Sequence, residues 1–432
     1  MSEQATAELA ASGSPLPANW LAVIAFIWGG QAMSIITSYA AGYAAIWYIT
    51  ETTGSAMMLS IAAIVSVLPT GLLSPFGGVL ADRFNRRTIM LVSDASVGLL
   101  SAVLGVIIWL GQTNLPIIMV VLGARAIAQA FHSPAMTAAM PMLVPDKHLL
   151  RINSLSQLLW SVAGIGSPVL GIFLYTTMGL EAVMFLDAGG AVLACVGLIL
   201  VSIPTVRDAD MDGKHILANM ADGFRAIQRN RGLFTLMGIC TVAMIIYLPF
   251  GSLFPLMVQQ HFHGDGYMAA MSEATFAVAM LIGSLVLMAW GGGRRHVVLV
   301  ILAGFISGLV GLFSGMLTSD MFWIFLVLTA IWGFVVAFYG GPLMTIIQRN
   351  SSNEKMGRVM GLFNAVSLLA SPIGLAIAGV VAEGTGIARW YLISGVLLCG
   401  ISVVGLFFPA VMALDRTASE ADKTPDENVA QS

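Results

Sequence analysis

The chain has 432 residues, of which 58% are hydrophobic and only 9% charged, with a mean hydropathy of +0.90. A water-soluble domain carries about 25% charged residues, so a soluble fold is excluded. The net charge of −3 decides little, because in a membrane-embedded chain the position of each charge matters more than their sum.

Residues 1–18 hold no Lys or Arg, which argues against a cleaved leader; the first apolar segment is expected to stay in the mature protein. Twelve apolar segments follow, at 20–48, 56–81, 88–110, 115–143, 153–176, 182–203, 233–259, 270–290, 296–317, 322–347, 359–382 and 389–412. Each has roughly the 20 residues that a helix needs to cross ~30 Å of hydrocarbon. The expectation is an all-α membrane protein of twelve transmembrane helices in two six-helix pseudo-symmetric halves. Cys195, Cys240 and Cys399 all lie inside apolar segments and read as buried thiols rather than disulfides or metal ligands.

Charge asymmetry orients this layout. With the N-terminus cytoplasmic, the loops at 83–87, 147–151, 207–231, 294–295 and 349–358 and the C-terminal tail hold 17 of the 19 Lys and Arg residues. Of the other two, Arg125 is intramembrane and only Arg389 lies outside. Cytoplasmic loops of membrane proteins carry this excess, so both termini are expected inside. The expected organisation is a cytoplasmic segment 1–19, a bundle over 20–203, a cytoplasmic linker 204–232, a second bundle over 233–412 and a disordered acidic tail 413–432. In the linker, Ile216, Met220, Phe224 and Ile227 share one side of Ile216–Arg229, as in a helix lying at the membrane surface.

The two halves resemble each other at a nearly constant offset. Arg86 and Arg87 answer to Arg294 and Arg295, and Pro134 to Pro342, each 208 residues on; Arg151 answers to Arg358 at 207, and Ser167-Pro168 to Ser371-Pro372 at 204. Parallel repeats of this kind place a substrate site near mid-membrane between the halves.

The stretch Gly77 to Arg87, G-G-V-L-A-D-R-F-N-R-R, is a polar turn between the second and third segments. It resembles the signature of the major facilitator superfamily at the same place. Further stretches are similar to the macrolide-efflux type of exporter in that superfamily: T-G-S-A-M at 53–57, A-F-H-S-P-A at 130–135, L-V-P at 143–145, G-L-F at 232–234 and G-R-V at 357–359. The resemblance runs from Trp28 to about Phe408 and implies alternating access with export driven by inward proton flow. Two patterns depart from the family's. Arg125 is followed by Gln129 and Ala130, and the fifth segment keeps Ser167, Pro168 and Gly171 without the full antiporter pattern. Those three residues read as a helix-packing motif.

Ionisable residues inside apolar segments are costly and mark function. Arg125 lies about ten residues from the outer face, ~15 Å deep at helical rise, with Gln129 and His132 on the same helix face. It reads either as part of a stripe lining the translocation path or as a strut between helices. Asp94 and His132 fall at equal depth on adjacent segments, where an imidazole beside a carboxylate would form a proton carrier or a static brace. Asp187 in the sixth segment carries the same two readings. Glu273, opening the eighth, is a proton or cation acceptor or a helix-start charge. Trp28, Gln31, Ser34, Ser38 and Tyr247 lie on segments that, by family resemblance, line the central cavity.

Gly77, Gly78, Asp82, Arg83, Arg86, Arg87 and Arg358 form a candidate cytoplasmic gate. In the second half Trp290 stands where the first has Asp82, and an acid at a helix C-terminus is disfavoured by its own dipole. Asp82 is therefore expected to meet the start of the eleventh segment near Arg358, which is its neighbour by family resemblance. His261 and His263 have ligand-like spacing but no third ligand nearby, and neither a phosphate-binding loop nor an H-E-x-x-H motif occurs. No cofactor or metal is expected. The expected function is a monomeric, proton-coupled exporter of amphiphilic organic compounds in a bacterial inner membrane, with no nucleic-acid partner. Transport of an endogenous metabolite or siderophore, and a non-transporting receptor or scaffold, are the alternatives.

Overall fold

The computed structural model describes residues 20–201, 225, 228, 230–293, 295–350 and 356–415. The terminal segments and nearly all of the 204–232 linker, including the expected amphipathic helix, lie outside the described residues. Among the described residues there are no strands. The long helices are α1 (Trp20–Thr53), α2 (Ala56–Arg83), α3 (Arg86–Trp109), α4 (Leu115–Leu143), α5 (Asp146–Met178), α6 (Leu180–Leu200), α7 (Arg231–Ser252), α8 (Gly266–Trp290), α9 (His296–Met316), α10 (Phe322–Arg349), α11 (Met356–Thr385) and α12 (Ile387–Leu406). Ten of them contain stretches long and apolar enough to cross a membrane. Large apolar side chains such as Val120, Leu285, Met288 and Trp109 point outward. A surface of that kind is stable only against lipid, and the chain is a multi-pass membrane protein.

Helix ends follow local chemistry. The first N–H groups of a helix have no internal acceptor, and short polar side chains supply one. Asn85 caps α3 through the Arg87 N–H (3.0 Å), Asn230 caps α7 through Leu233 (3.1 Å) and Asp265 caps α8 through Met268 (3.0 Å). Asp415 reaches α9 from far along the chain, both carboxylate oxygens lying 3.1 Å from the Val297 N–H. The seventh segment, expected as one span over 233–259, stops as α7 at Ser252. It continues as a short turn, Phe254–Leu256, and a π-helical turn, Met257–His261. Pro249 and Pro255 remove two backbone donors there, which breaks the ladder. Likewise α12 ends at Leu406, ahead of Pro409.

The chain divides into two compact units. One comprises Met1–Gly42, Leu72–Ser167 and Met178–Asp212; the other comprises Tyr43–Gly71, Pro168–Thr177 and Gly213–Ser432. In the first, α3 packs against α4 and α6. Its apolar core includes Ile27, Trp28, Met90, Met136, Met140 and Leu198. In the second, α9 packs on α12 and α10, and α8 on α10. An aromatic cluster centres on Trp332, whose ring centroid lies 4.6 Å from those of Phe250 and Phe276 and 5.7 Å from that of Tyr247.

The second unit also takes in the connection between α1 and α2. There the Glu383 carboxylate of α11 accepts from the Ser55 hydroxyl (2.9 Å) and the Met57 N–H (3.1 Å), capping the start of α2. Gln259 and Gln260 donate to the Glu51 and Gly54 carbonyls on the same turn. These carboxamide and carboxylate contacts tie α1, α2, α11 and the π-helical turn together at one end of the unit.

Small residues let α8 and α10 touch backbone to backbone, as in many membrane helix pairs. A Cβ on Gly333 would lie 2.3 Å from the Phe276 carbonyl oxygen, and one on Gly283 2.3 Å from that of Phe334. Gly333→Leu is expected to cost about 3 kcal/mol or more by overpacking. Gel filtration and thermal unfolding in detergent should show loss of the monodisperse species; an unchanged unfolding temperature would mean that the two helices separate freely.

Candidate functional site

The first unit holds two buried polar clusters in an otherwise apolar interior, one joining α1, α3, α4 and α6 and the other α1, α3 and α4. The first is centred on Asp187 of α6, which is fully buried. The Arg125 guanidinium of α4 forms an ion pair with its Oδ2 and also donates to Ser101 Oγ of α3. Ser101 donates to Oδ2 at 2.6 Å, and Ser38 of α1 donates to Oδ1 at 2.7 Å. Thr37 Oγ1 stands 3.4 Å from the same Oδ1, and Arg125 Nη2 donates to the Ser38 carbonyl at 3.1 Å. One charge pair and three hydroxyls thus join four helices. Gly190, one turn beyond Asp187, allows the approach, since a Cβ there would fall 2.2 Å from Thr37 Oγ1.

Taking both charges out of water costs several kcal/mol per ion unless pairing and hydrogen bonds offset it. Here the carboxylate accepts on both oxygens, and the guanidinium donates to a carboxylate, a hydroxyl and a carbonyl. The cluster is therefore well satisfied and rigid.

The second cluster is incomplete. Gln31 Nε2 of α1 donates to Asp94 Oδ2 of α3 at 2.7 Å. His132 Nε2 of α4 lies 3.4 Å from Asp94 Oδ1. All three residues are buried. Yet Gln31 Oε1 and both ring nitrogens of His132 make no hydrogen bond of ordinary geometry. Buried polar atoms without partners are few in native proteins and call for an explanation. A carboxylate, an imidazole and a carboxamide with spare bonding capacity can take up a proton or a water and pass it on.

The remaining candidates fall elsewhere. Gln129 is half-buried on α4, and Ser34 and Trp28 are buried on α1. Gly77 packs against α4, where a Cβ would lie 2.5 Å from the Ala130 carbonyl oxygen, while Gly78 has open space around it. Arg87 donates to the Leu198 and Ile199 carbonyls, both at 2.7 Å. It therefore caps the C-terminus of α6, where a cation is favoured. Arg86 is half-buried at the start of α3. The side chains of Asp82, Arg83 and Arg358 lie outside the described residues, and with them the expected Asp82 contact. Ser167 Oγ reaches the Ile36 carbonyl at 3.5 Å, Pro168 sits within α5 and Gly171 is buried.

In the second unit, Tyr247 joins the aromatic cluster, and Glu273 is half-buried on α8 within electrostatic reach of the Tyr391 hydroxyl. His261 Nε2 is 2.7 Å from the Leu317 carbonyl, and among the described residues no group of three or more metal-ligating side chains occurs.

The reading of the sequence missed Thr37, Ser101, Glu383 and Ser55. For the hydroxyls a signal was available: an acid and a base inside apolar helices must find each other, and hydroxyls within a turn complete their bonding.

A bundle of long apolar helices with ionisable groups buried inside it defines a multi-pass membrane protein. The comparisons place it further. Residues 27–375 and 250–429 match the family profile of the Major Facilitator Superfamily. Macrolide efflux protein A of Streptococcus pyogenes is 35% identical over 398 residues, spanning 92% of this chain and 98% of that protein. The multidrug efflux pump Tap of Mycolicibacterium fortuitum is 25% identical over 390 residues, 85% of this chain and 91% of that one. Among solved structures, the nucleoside transporter NupG superposes with a TM-score of 0.64 at 13% identity, covering 90% of this chain and 99% of that chain, a likeness of fold alone. The chain belongs to the major facilitator superfamily and is a secondary transporter of small molecules.

Proposed function

We propose that the chain exports amphiphilic, basic organic compounds of the macrolide kind across a bacterial cell membrane by alternating access, driven by inward proton flow. The observation that carries this reading is the 35% identity to macrolide efflux protein A across 98% of its length. Proton coupling is supported by the under-bonded cluster of Asp94, His132 and Gln31 beside the saturated Arg125–Asp187 pair. In this reading the acid and imidazole carry the proton, and the ion pair fixes the α1, α3, α4 and α6 geometry that the carrier needs. Glu273 serves as a second acid, and Trp28, Ser34, Ser38, Gln129 and Tyr247 face the substrate.

Twelve spans form two halves, 20–203 and 233–412. Both termini are cytoplasmic, because 17 of the 19 basic residues then lie on that side. The protein acts as a monomer without a cofactor, and Asp82 pairs across the cytoplasmic end near Arg358 when the cavity faces outward.

The test is drug accumulation in bacteria expressing the chain, with and without a protonophore. Expression should lower the cellular level of a labelled macrolide several-fold, and the protonophore should restore it. Accumulation unchanged by expression across a panel of amphiphiles would overturn the exporter reading; efflux that survives the protonophore would overturn the coupling.

A further inference from the structure

The second unit contains a feature of which the efflux reading uses only Tyr247. Between helices α7, α9, α10 and α12 lies a partly open cavity of about 150 Å³, lined by Cys240, Ala243, Tyr247, Ser307, Tyr339 and Ser402 among others. Its wall is almost wholly apolar. A cavity of this size and character stays dry and accepts a benzene-sized guest, because a water needs two to four polar partners. Of the polar atoms near it, the Ser307 hydroxyl is already committed to the Ala303 carbonyl at 2.8 Å. The Tyr339 hydroxyl is buried and makes no hydrogen bond of ordinary geometry. Beside it stands the Cys240 thiol, which it engages as a hydrogen-bond partner. Sulfur is a weak acceptor, so an oxygen acceptor brought into the cavity would be a better partner for the phenol.

The internal repeat shows that this space is not incidental. With an offset of 204–208 residues, the positions answering to Gln31, Asp94 and His132 fall at 235–239, 298–302 and 336–340. Leu236, Ile239, Val300, Ile301, Val336 and Tyr339 all lie in those windows and all line the cavity. Where the first repeat places an acid, an imidazole and a carboxamide between its helices, the second leaves a largely apolar void edged by two phenols, Tyr247 and Tyr339.

We propose that this cavity is a binding site for a ring-sized apolar group that carries a hydrogen-bond acceptor, with the Tyr339 hydroxyl as its donor. The group is either a substituent of a transported compound or a separate small amphiphile from the membrane; the chemistry is the same. The site stands whether or not the chain proves to be a macrolide exporter, since binding is read without transport.

The experiment titrates 4-fluoroacetophenone into the full chain in lipid nanodiscs, followed by fluorine NMR, with fluorobenzene as the probe lacking an acceptor. Wild type should bind both saturably. Ala243→Phe, which fills the cavity from α7, should abolish saturable binding of both. Tyr339→Phe keeps the shape and should weaken fluoroacetophenone about three- to tenfold, leaving fluorobenzene unchanged. Thermal unfolding checks that both variants fold, and the isosteric Tyr339→Phe keeps the test decisive if Ala243→Phe does not. Non-saturable partitioning, equal in wild type and variants, would overturn the site. An unchanged fluoroacetophenone affinity in Tyr339→Phe would overturn the donor. Displacement of the probe by a macrolide would assign the cavity to a substituent of the cargo; saturable binding without displacement would assign it to a separate amphiphile.

Discussion

Arg125→Ala should abolish efflux and also lower the amount of folded protein. The reason is Asp187, whose carboxylate is completely buried and would be left with hydroxyl donors alone. Removing one partner of a buried pair costs roughly 3–5 kcal/mol, whereas replacing both with apolar groups of similar volume is often neutral. The double variant Arg125→Met, Asp187→Leu is therefore expected to recover wild-type thermal stability. Efflux is expected to remain at background, because α1, α3 and α6 lose the charge that sets their registry beside Asp94. Recovery of both stability and efflux in the double variant would show that the pair is a strut that any packed side chains can replace. Loss of stability in the double variant as well would show that the three hydroxyls, not the ion pair, hold this interior together.

Asp94→Asn is expected to separate driving from carrying. Asparagine keeps the shape and can still accept from Gln31 Nε2, now 2.7 Å away, but it cannot hold a proton to exchange. In proteoliposomes the variant should retain substrate counterflow, which needs only alternation, and should lose uptake driven by an imposed pH gradient by at least tenfold. Normal gradient-driven transport by Asp94→Asn would remove the acid from the coupling path and leave Glu273 as the next acid to examine. The contrast with Arg125 is physical. The Asp187 cluster has its donors and acceptors matched, so altering it perturbs folding. The Asp94 cluster has spare capacity at Gln31 and His132, so altering it changes chemistry at little structural cost.

The clusters differ in how readable they were. Asp94 and His132 follow from counting equal distances down antiparallel helices, a rule set by helical rise. Arg125 and Asp187 were each visible as costly intramembrane charges, but their partnership was not, because it depends on the lateral order and rotation of α4 and α6. Ser101 and Thr37 look like ordinary small polar residues in apolar runs until packing aims their hydroxyls at one carboxylate. Arg87 illustrates the limit most clearly. Its sequence context in the Gly77–Arg87 turn suggests a gate and gives no sign that in the fold its guanidinium caps the last carbonyls of α6.

By itself the sequence determined that this protein lives in lipid, where its long helices fall to within about seven residues, and the superfamily to which it belongs. Those properties rest on hydrophobic run length, on the placement of basic residues and on the chemistry of short motifs, all local along the chain. The tertiary structure alone decided which buried charges meet, which polar atoms stay unpartnered, and that the second repeat leaves a void beside Tyr339. Each of those depends on how helices far apart in sequence rotate and approach one another, and in lipid that is settled by close packing between side chains rather than by the apolar pattern of any single helix.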